Sequence, residues 1–581
     1  MTKLISKISL FSLFGILSIF FCWILLKNPG LRVNTDLNVH LLRLDGLTHA
    51  IQRGELYPYI NMDFFHGFGY ASDIFYGNLF IYIGAIYRVI TGGSLVAAYK
   101  LTVILETFLT FVFCYYAIKA VSGNKLIGIF SSILYTMSTC LFSMLSSGTF
   151  GQMSAYTLIP LALSSFYLMI YKNKNTIFIL VLSMSGLLLT HILTTLILSI
   201  ILFVATIINY KAIWKDKIKL YRLCISAVSA LLITAFFTLP LVEQVKSQPL
   251  IGQLIPTFYV SSASTSLWDE LGATLSNTSG LYINMVIFII VVMRLFVFRK
   301  RITGDGFVLT GCILVFFSTK EFPWFLFEHT VLNNIQFPSR IMVFSTFFLA
   351  VGASYYLGAF IKNHYISRSK AFLIFMLAVL LVNISLMNQY MKNEKSADRM
   401  VNLNSIQTGG REYVPVGIIA RDVPHHTEKY TDNPDEMFGL NTNAINSKPL
   451  FKEIYNNAQL SNIDDGITYS HFEKNADKVS FHFNNINSGE VSLPLIYYKG
   501  YVTEITQGNE TQRFYSYAGE TNLVTAKLPK GEGTVKVYYY GTHVQKVSAV
   551  VSIISFFAFL IFNIFYIVRK NFPKAVRNIE L

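Results

Sequence analysis

The sequence predicts a polytopic α-helical membrane protein, with about twelve spans and a β-rich domain placed before the last of them. Three observations predict it. The chain of 581 residues is 53% hydrophobic and 14% charged, against about 25% charged for an average soluble protein. Apolar stretches of the length that crosses a bilayer recur along the chain. Between residues 389 and 545 the recurrence stops, and a polar region with short alternating segments takes over.

The candidate spans are residues 8–26, 95–118, 126–143, 153–171, 176–190, 192–209, 223–242, 280–298, 305–319, 340–360, 371–388 and 547–568. Residues 8–26 follow Lys3 and Lys7 as a signal peptide would, but the KNPGLRVNTD that comes next lacks a small-residue cleavage site. An uncleaved first span is expected. The stretch 74–90 is ambiguous, being short, interrupted by Gly77 and Gly84, and marked by Tyr76, Tyr82, Tyr87 and Arg88.

The basic residues resolve that ambiguity. If 74–90 does not cross, the loops carrying Lys119 and Lys125, Lys172 and Lys174, Lys211 to Arg222, Arg299 to Arg301, and Lys362 to Lys370 all fall inside, with both termini. If it crosses, nearly every basic loop lies outside. Residues 74–90 are therefore expected to form a juxtamembrane or re-entrant helix on the outer side of the membrane. The net charge of +15 sits in these short loops, where it reports orientation and contact with anionic membrane lipid rather than nucleic acid.

Three parts are expected: a transmembrane part over 1–388 with an outer loop at 28–94, an extracytoplasmic domain over 389–545, and a final span with a basic cytoplasmic tail over 546–581. VSFHF (479–483), YVTEI (501–505) and TVKVYYY (534–540) alternate with period two. Glycine-bearing turns at 487–489, 507–509 and 530–533 separate them, as in a β-sandwich or barrel. Residues 389–478 show no such regularity. The five cysteines all lie in apolar spans, without CxxC or zinc spacing.

The polar chemistry gathers in residues 33–77. This loop carries Asp36, Asp45, Glu55, Asp63 and Asp73 with His40, His49, His66, Arg43 and Arg53. Read as a helix, Asp36, His40 and Arg43 fall on one face, beside a stripe of Leu37, Leu41, Leu44 and Ile51. Such a helix either turns its polar edge to a cavity or is an amphipathic surface helix with solvated charges. Walker A and GxGxxG patterns are absent, so no nucleotide cofactor is expected.

Glu106, near the middle of span 95–118, is either functional or a protonated acid bonded to a neighbouring helix. His191 sits where the long apolar run 176–209 is expected to break, facing a cavity or satisfying exposed carbonyls. Gln336-Phe337-Pro338-Ser339-Arg340 opens a helix with proline near its start, which makes Arg340 either a phosphate ligand or an interfacial anchor. His425 and His426 lack partners at ligand spacing.

TDLNVHLLRLDGLTHAIQRGELYP followed by GFGYASDIFYG resembles the first outer loop of GT-C membrane glycosyltransferases. The similarity is to the bacterial branch of "6-pyruvoyl-tetrahydropterin synthase-related" membrane proteins, related to the YfhO-like proteins. GTFGQMSAYTLIPL, QFPSR and the tail LPLIYYKGY…VKVYYYGTHVQKVSAVVS fit the same branch. The soluble pterin enzyme's three-histidine zinc site has no counterpart.

The resemblance implies a GT-C-like fold and a transferase using a polyprenyl-phosphate sugar on the outer face, with a cell-envelope polymer or glycolipid as acceptor. It places Asp36 as catalytic base and Asp73, by a looser match, as a second acidic residue. Arg340 or Arg43 would meet the donor phosphate, with His40, His191 and Gln336 in the same substrate-binding group. No clean D-x-D and no phosphate-binding lysine are present, so a divalent metal is left open. Two other readings stand beside this one: a transporter or flippase of lipid-linked precursors, and a non-catalytic scaffold of envelope assembly.

Overall fold

The computed structural model describes residues 2–32, 36–250, 259–262, 264–297, 300–363, 366–393, 412–415, 460, 463–475, 477–519 and 522–577. The first half of the chain forms helices α1 (Thr2–Phe21), α2 (Trp23–Leu26), α3 (Leu37–Gln52), α4 (Ser72–Phe75), α5 (Ile81–Thr91), α6 (Leu95–Ser122), α7 (Lys125–Thr136), α8 (Thr139–Ser147), α9 (Phe150–Tyr171), α10 (Ile177–Leu188) and α11 (Ile192–Ile208).

Their ends follow local rules. The Ser94 hydroxyl accepts from the Ala97 amide to start α6, and Ser138 does the same for Leu141 in α8. Gly123 and Gly148 close α6 and α8 in the left-handed conformation.

Every predicted span falls on an apolar helix. Among the described residues six helices are long and apolar enough to cross a membrane, and a seventh forms if Lys217–Ile233 and Ala235–Ser247, bent by 70°, count as one. The other five coincide with shorter apolar helices of 10–17 residues. Helix α5, the ambiguous stretch, has 11 residues and so rises only about 16 Å, roughly half a hydrocarbon core.

Helix α9 is the axis of the bundle, 89% buried, whereas the final helix is only 22% buried over its apolar part. Ile553, Phe557 and Phe565 stand exposed on that helix, as on a lipid-facing surface. Gly311 and Gly352 bring the helices Gly304–Ser318 and Met342–Lys362 together: a Cβ at Gly352 would stand 2.4 Å from the Val308 side chain.

The β-rich part is a two-sheet sandwich. One sheet has the order β1-β2-β8-β4-β5 and the other β3-β7-β6, all antiparallel. The strands are β1 (Ile467–Lys474), β2 (Lys478–Asn485), β3 (Gly489–Ile496), β4 (Tyr501–Gln507), β5 (Glu510–Tyr515), β6 (Tyr517–Ala518), β7 (Leu523–Leu528) and β8 (Gly531–Tyr539). Val479, Phe481, Val535 and Val537 from one sheet bury against Val491, Leu493, Val524 and Ala526 from the other. Phe481 pairs with Val535, the register that alternation requires.

Two expected boundaries move slightly. The helix Arg368–Asn393 runs past residue 389, and the last helix begins at His543. His425 and His426 lie outside the described residues.

The sandwich is strapped to the helical part by residues 496–501. Gln244 exchanges hydrogen bonds with Lys499, its Nε2 donating to the carbonyl at 2.6 Å and its Oε1 accepting from the amide at 3.1 Å. The Ile496 amide donates to the Phe68 carbonyl at 2.8 Å. The Lys499 ammonium lies 2.9 Å from Glu243.

Candidate functional site

The site grows from α3. Asp36 is its N-cap residue, yet its side chain does not cap. Among the described residues the Asp36 carboxylate makes no hydrogen bond, and water reaches it. Enough protein surrounds it that desolvation raises its pKa, against the pull of nearby Arg340.

His40 and Arg43, one and two turns further, are 8% and 1% exposed, so the reading with solvated charges fails for both. Arg43 Nη2 donates to the Gly77 carbonyl at 2.7 Å and to Asn78 Oδ1 at 2.6 Å. Its Nη1 donates to His40 Nδ1 at 3.1 Å, and its guanidinium lies 5.1 Å from the Tyr76 ring centre. A guanidinium has only donors, so His40 Nδ1 accepts and its proton sits on Nε2. Burial, then Arg43 and His191, hold the His40 pKa well below the ordinary histidine range.

Asp73 is fully buried and faces this network, not open water. Asn78 Nδ2 donates to its Oδ1 at 2.5 Å, and the Ser72 hydroxyl to its Oδ2 at 3.1 Å. Asn78 thus relays between Asp73 and Arg43. Burial pushes the Asp73 carboxyl up to about 6, with Arg43 opposing.

Four further elements close around α3. Gly148 packs on Leu37: a Cβ there would stand 2.9 Å from Leu37 Cβ. Gly77 lies so close to the α10–α11 break that a Cβ would meet the Leu189 carbonyl carbon at 2.1 Å, and the Leu79 amide donates to the same carbonyl at 3.1 Å. His191 caps α11: its Nδ1 accepts from the Thr194 amide at 3.2 Å. It therefore serves freed amides, not carbonyls.

The last element is the QFPSR loop. Arg340 Nη1 donates to the Ile335 carbonyl at 2.8 Å and to Gln336 Oε1 at 3.0 Å. Its Nε and Nη2 make no hydrogen bond among the described residues, although the side chain is half-buried. Gln336 takes φ +62°, a costly conformation for a residue with a side chain. It aims the amide oxygen at Arg340.

A small cleft at the start of α3 is lined by Leu25, Asn28, Arg32, Leu37, Ser146 and Tyr390, polar and apolar groups together. Glu106 lies deeper, fully buried, and accepts from the Ser154 hydroxyl of α9 at 2.8 Å. That contact is the neighbouring-helix bond of its plainer reading.

For a metal, one described group offers three ligands close together: Asp45, His49 and Asp63. Asp45 lies about 180° around α3 from Asp36, and it is already bonded to Arg88. His49 Nδ1 lies 2.8 Å from Asp63, which raises the histidine pKa. A cation there would compete with Arg88.

Sequence reasoning missed two parts of the site. Asn78 carries no motif. Residues 412–415 reach in from beyond the helical part: Tyr413 stacks on Phe75 at 4.2 Å and meets Tyr76 edge-on at 5.3 Å. No local signal in REYVP points to the first loop.

Fold and site define a polytopic membrane protein whose first loop folds back on the helical bundle and around a buried arginine network. The chain belongs to the family described as "6-pyruvoyl-tetrahydropterin synthase related domain; membrane protein", whose profile matches residues 74–391. An uncharacterized protein of Lactococcus lactis subsp. cremoris (strain MG1363) is 24% identical over 599 residues, covering 92% of each chain.

Among solved structures, the arabinofuranosyltransferase AftD from mycobacteria overlaps 66% of this chain at TM-score 0.41 and 14% identity. ArnT from Cupriavidus metallidurans, bound to undecaprenyl phosphate, overlaps 61% at TM-score 0.40 and 15% identity. The chain spans 26% of the first protein and 60% of the second.

Proposed function

We propose that this protein is a membrane glycosyltransferase. It moves a sugar from a polyprenyl-phosphate donor to a cell-envelope polymer or glycolipid on the outer face of the bacterial plasma membrane, with both termini cytoplasmic. One observation carries the reading: among the described residues the Asp36 carboxylate makes no hydrogen bond, and it lies within electrostatic range of Arg340, whose Nε and Nη2 are likewise without one.

A glycosyl transfer needs both groups. Asp36 takes the proton of the acceptor hydroxyl as its oxygen bonds to the anomeric carbon. The bond from that carbon to the phosphate oxygen breaks, and the polyprenyl phosphate leaves with the electron pair. Arg340, aimed by Gln336, meets the charge on the leaving phosphate.

Arg43 and Asp73 work at one remove. Asp73 has both carboxylate oxygens taken, so we assign it to holding Arg43 through Asn78 rather than to proton transfer. His40 bonds Arg43, and His191 lies within electrostatic range of both Arg340 and Arg43.

The test is transfer by purified full-length protein in lipid nanodiscs, with a panel of polyprenyl-phosphate sugars as donors and envelope glycolipids as acceptors. Asp36→Asn should lower transfer at least about 100-fold, the low end of a lost general base, while membrane abundance and melting temperature stay near wild type. Full activity in that variant would remove Asp36 from the chemistry.

A further inference from the structure

Residues 412–415 belong to the connection between the helical part and the β-sandwich, and among its described residues they are seated in the site. Four contacts hold them there. The Tyr413 amide donates to the Tyr70 hydroxyl at 3.3 Å, and the Tyr498 hydroxyl donates to the Tyr413 carbonyl at 3.0 Å. Pro415 forms an antiparallel bridge with Leu250, and Val414 is 1% exposed. The stack of Tyr413 on Phe75 is nearly parallel, at 4°.

This anchoring fixes Glu412. Its Oε2 is buried without a hydrogen-bond partner among the described residues, in a protein interior where such acceptors are almost always satisfied. Among the described residues, the charged side chain whose field reaches it is Asp36. Its neighbours otherwise are the hydroxyl-bearing rings of Tyr70, Tyr76 and Tyr413. Tyr76 and Tyr413 are half-buried, with Phe75 stacked on one face of the Tyr413 ring and Arg43 over the Tyr76 ring.

We infer that Glu412 and the Tyr76–Tyr413 corner form the acceptor-binding wall of the site, and that the acceptor they take is a neutral, hydroxyl-bearing sugar. The inference rests on the glycosyl-transfer reading and adds the acceptor's chemistry to it. A buried carboxylate oxygen without a donor is satisfied by a sugar hydroxyl, and the partly exposed tyrosines beside it offer apolar surface to the C–H face of a sugar ring. Glu412 and Asp36 together repel an anionic group. Among the described residues Arg340 keeps Nε and Nη2 without a hydrogen bond, and the donor phosphate is placed there; Arg43, whose Nε is also without a partner, is fully buried behind Tyr76. The site is thus divided by charge: phosphate toward Arg340, neutral hydroxyls toward Glu412. The β-sandwich's role follows, since the wall is carried on its connecting segment and pinned by Tyr498.

The test uses full-length protein in phosphatidylglycerol nanodiscs and two kinds of probe. One is undecaprenyl phosphate. The other is a panel of neutral hexose tetrasaccharides, each with a uronic-acid counterpart. At least one neutral tetrasaccharide should bind, and its counterpart should bind at least about tenfold more weakly. Glu412→Gln should weaken the neutral probe roughly 10- to 150-fold, the worth of a hydrogen bond to a charged group, and Glu412→Asp should recover part of it. Undecaprenyl phosphate should bind Glu412→Gln as it binds wild type.

Binding of no neutral tetrasaccharide, or tighter binding of a uronic-acid one, overturns the acceptor wall while leaving the donor reading to the lipid-phosphate arm. Failure of wild type to bind undecaprenyl phosphate instead counts against the transferase reading. A Glu412→Gln protein that loses both probes and melts early would make Glu412 structural, which also overturns the inference.

Discussion

At the scale of single residues, the site separates groups that touch substrate from groups that hold them. Arg340 belongs to the first kind. Arg340→Gln should weaken undecaprenyl phosphate binding by about 1.5–3 kcal/mol, roughly 10- to 150-fold. Lysine should restore only part, because it offers a point charge in place of a planar fork. Unchanged affinity in the glutamine variant would make Arg340 an anchor.

Asp73 belongs to the second kind, and its pKa near 6 gives it a pH signature. Its folded pKa lies above the unfolded value, so the folded state holds the proton more tightly. The stabilisation is fully present below about 4 and is lost as pH rises through about 6. Wild type should therefore gain melting temperature between pH 7.5 and pH 5 relative to Asp73→Asn. An equal pH response in both proteins would sink the assignment.

At the scale of elements, the site depends on how closely the first loop seats against the break between α10 and α11. Gly77 is the contact. Alanine there would drive a Cβ to 2.1 Å from the Leu189 backbone, and backbone cannot move aside as a side-chain tip can. Gly77→Ala should cost about 1–3 kcal/mol as overpacking, and it should disturb Arg43, whose guanidinium bonds the Gly77 carbonyl. A melting curve in detergent reads this directly. No change would mean the loop has room to shift.

At the scale of the whole molecule, the proposed sidedness can be checked. A single cysteine at Lys217, in a cysteine-free background, should be shielded from an impermeant thiol reagent in intact cells, while one at exposed Asp269 should label. Asp73 is a poor reporter because it is buried. Labelling at Lys217 would invert the topology and turn the site inward. The same arrangement explains why the β-sandwich matters to a helical bundle: through residues 496–501 it grips Phe68 and Gln244 on two separate elements.

What the sequence determined by itself is whatever a short window of residues decides. Burial in lipid sets the length of an apolar run, so every predicted span lies on a helix. Side-chain alternation sets strands, so VSFHF, YVTEI and TVKVYYY fall in β2, β4 and β8. Helical spacing also placed Asp36, His40 and Arg43 on one face. It could not tell a solvated arginine from a fully buried one, because that depends on what covers the face.

Only the tertiary structure decided that Arg43 is locked by Gly77 and Asn78, that Asp73 is tied at both oxygens, and that Glu412 comes within electrostatic range of Asp36. Periodicity records the environment of a residue's neighbours in sequence. Hydrogen bonds between buried polar groups are made by neighbours in space, and their partners here come from separate loops and from the connection to the sandwich.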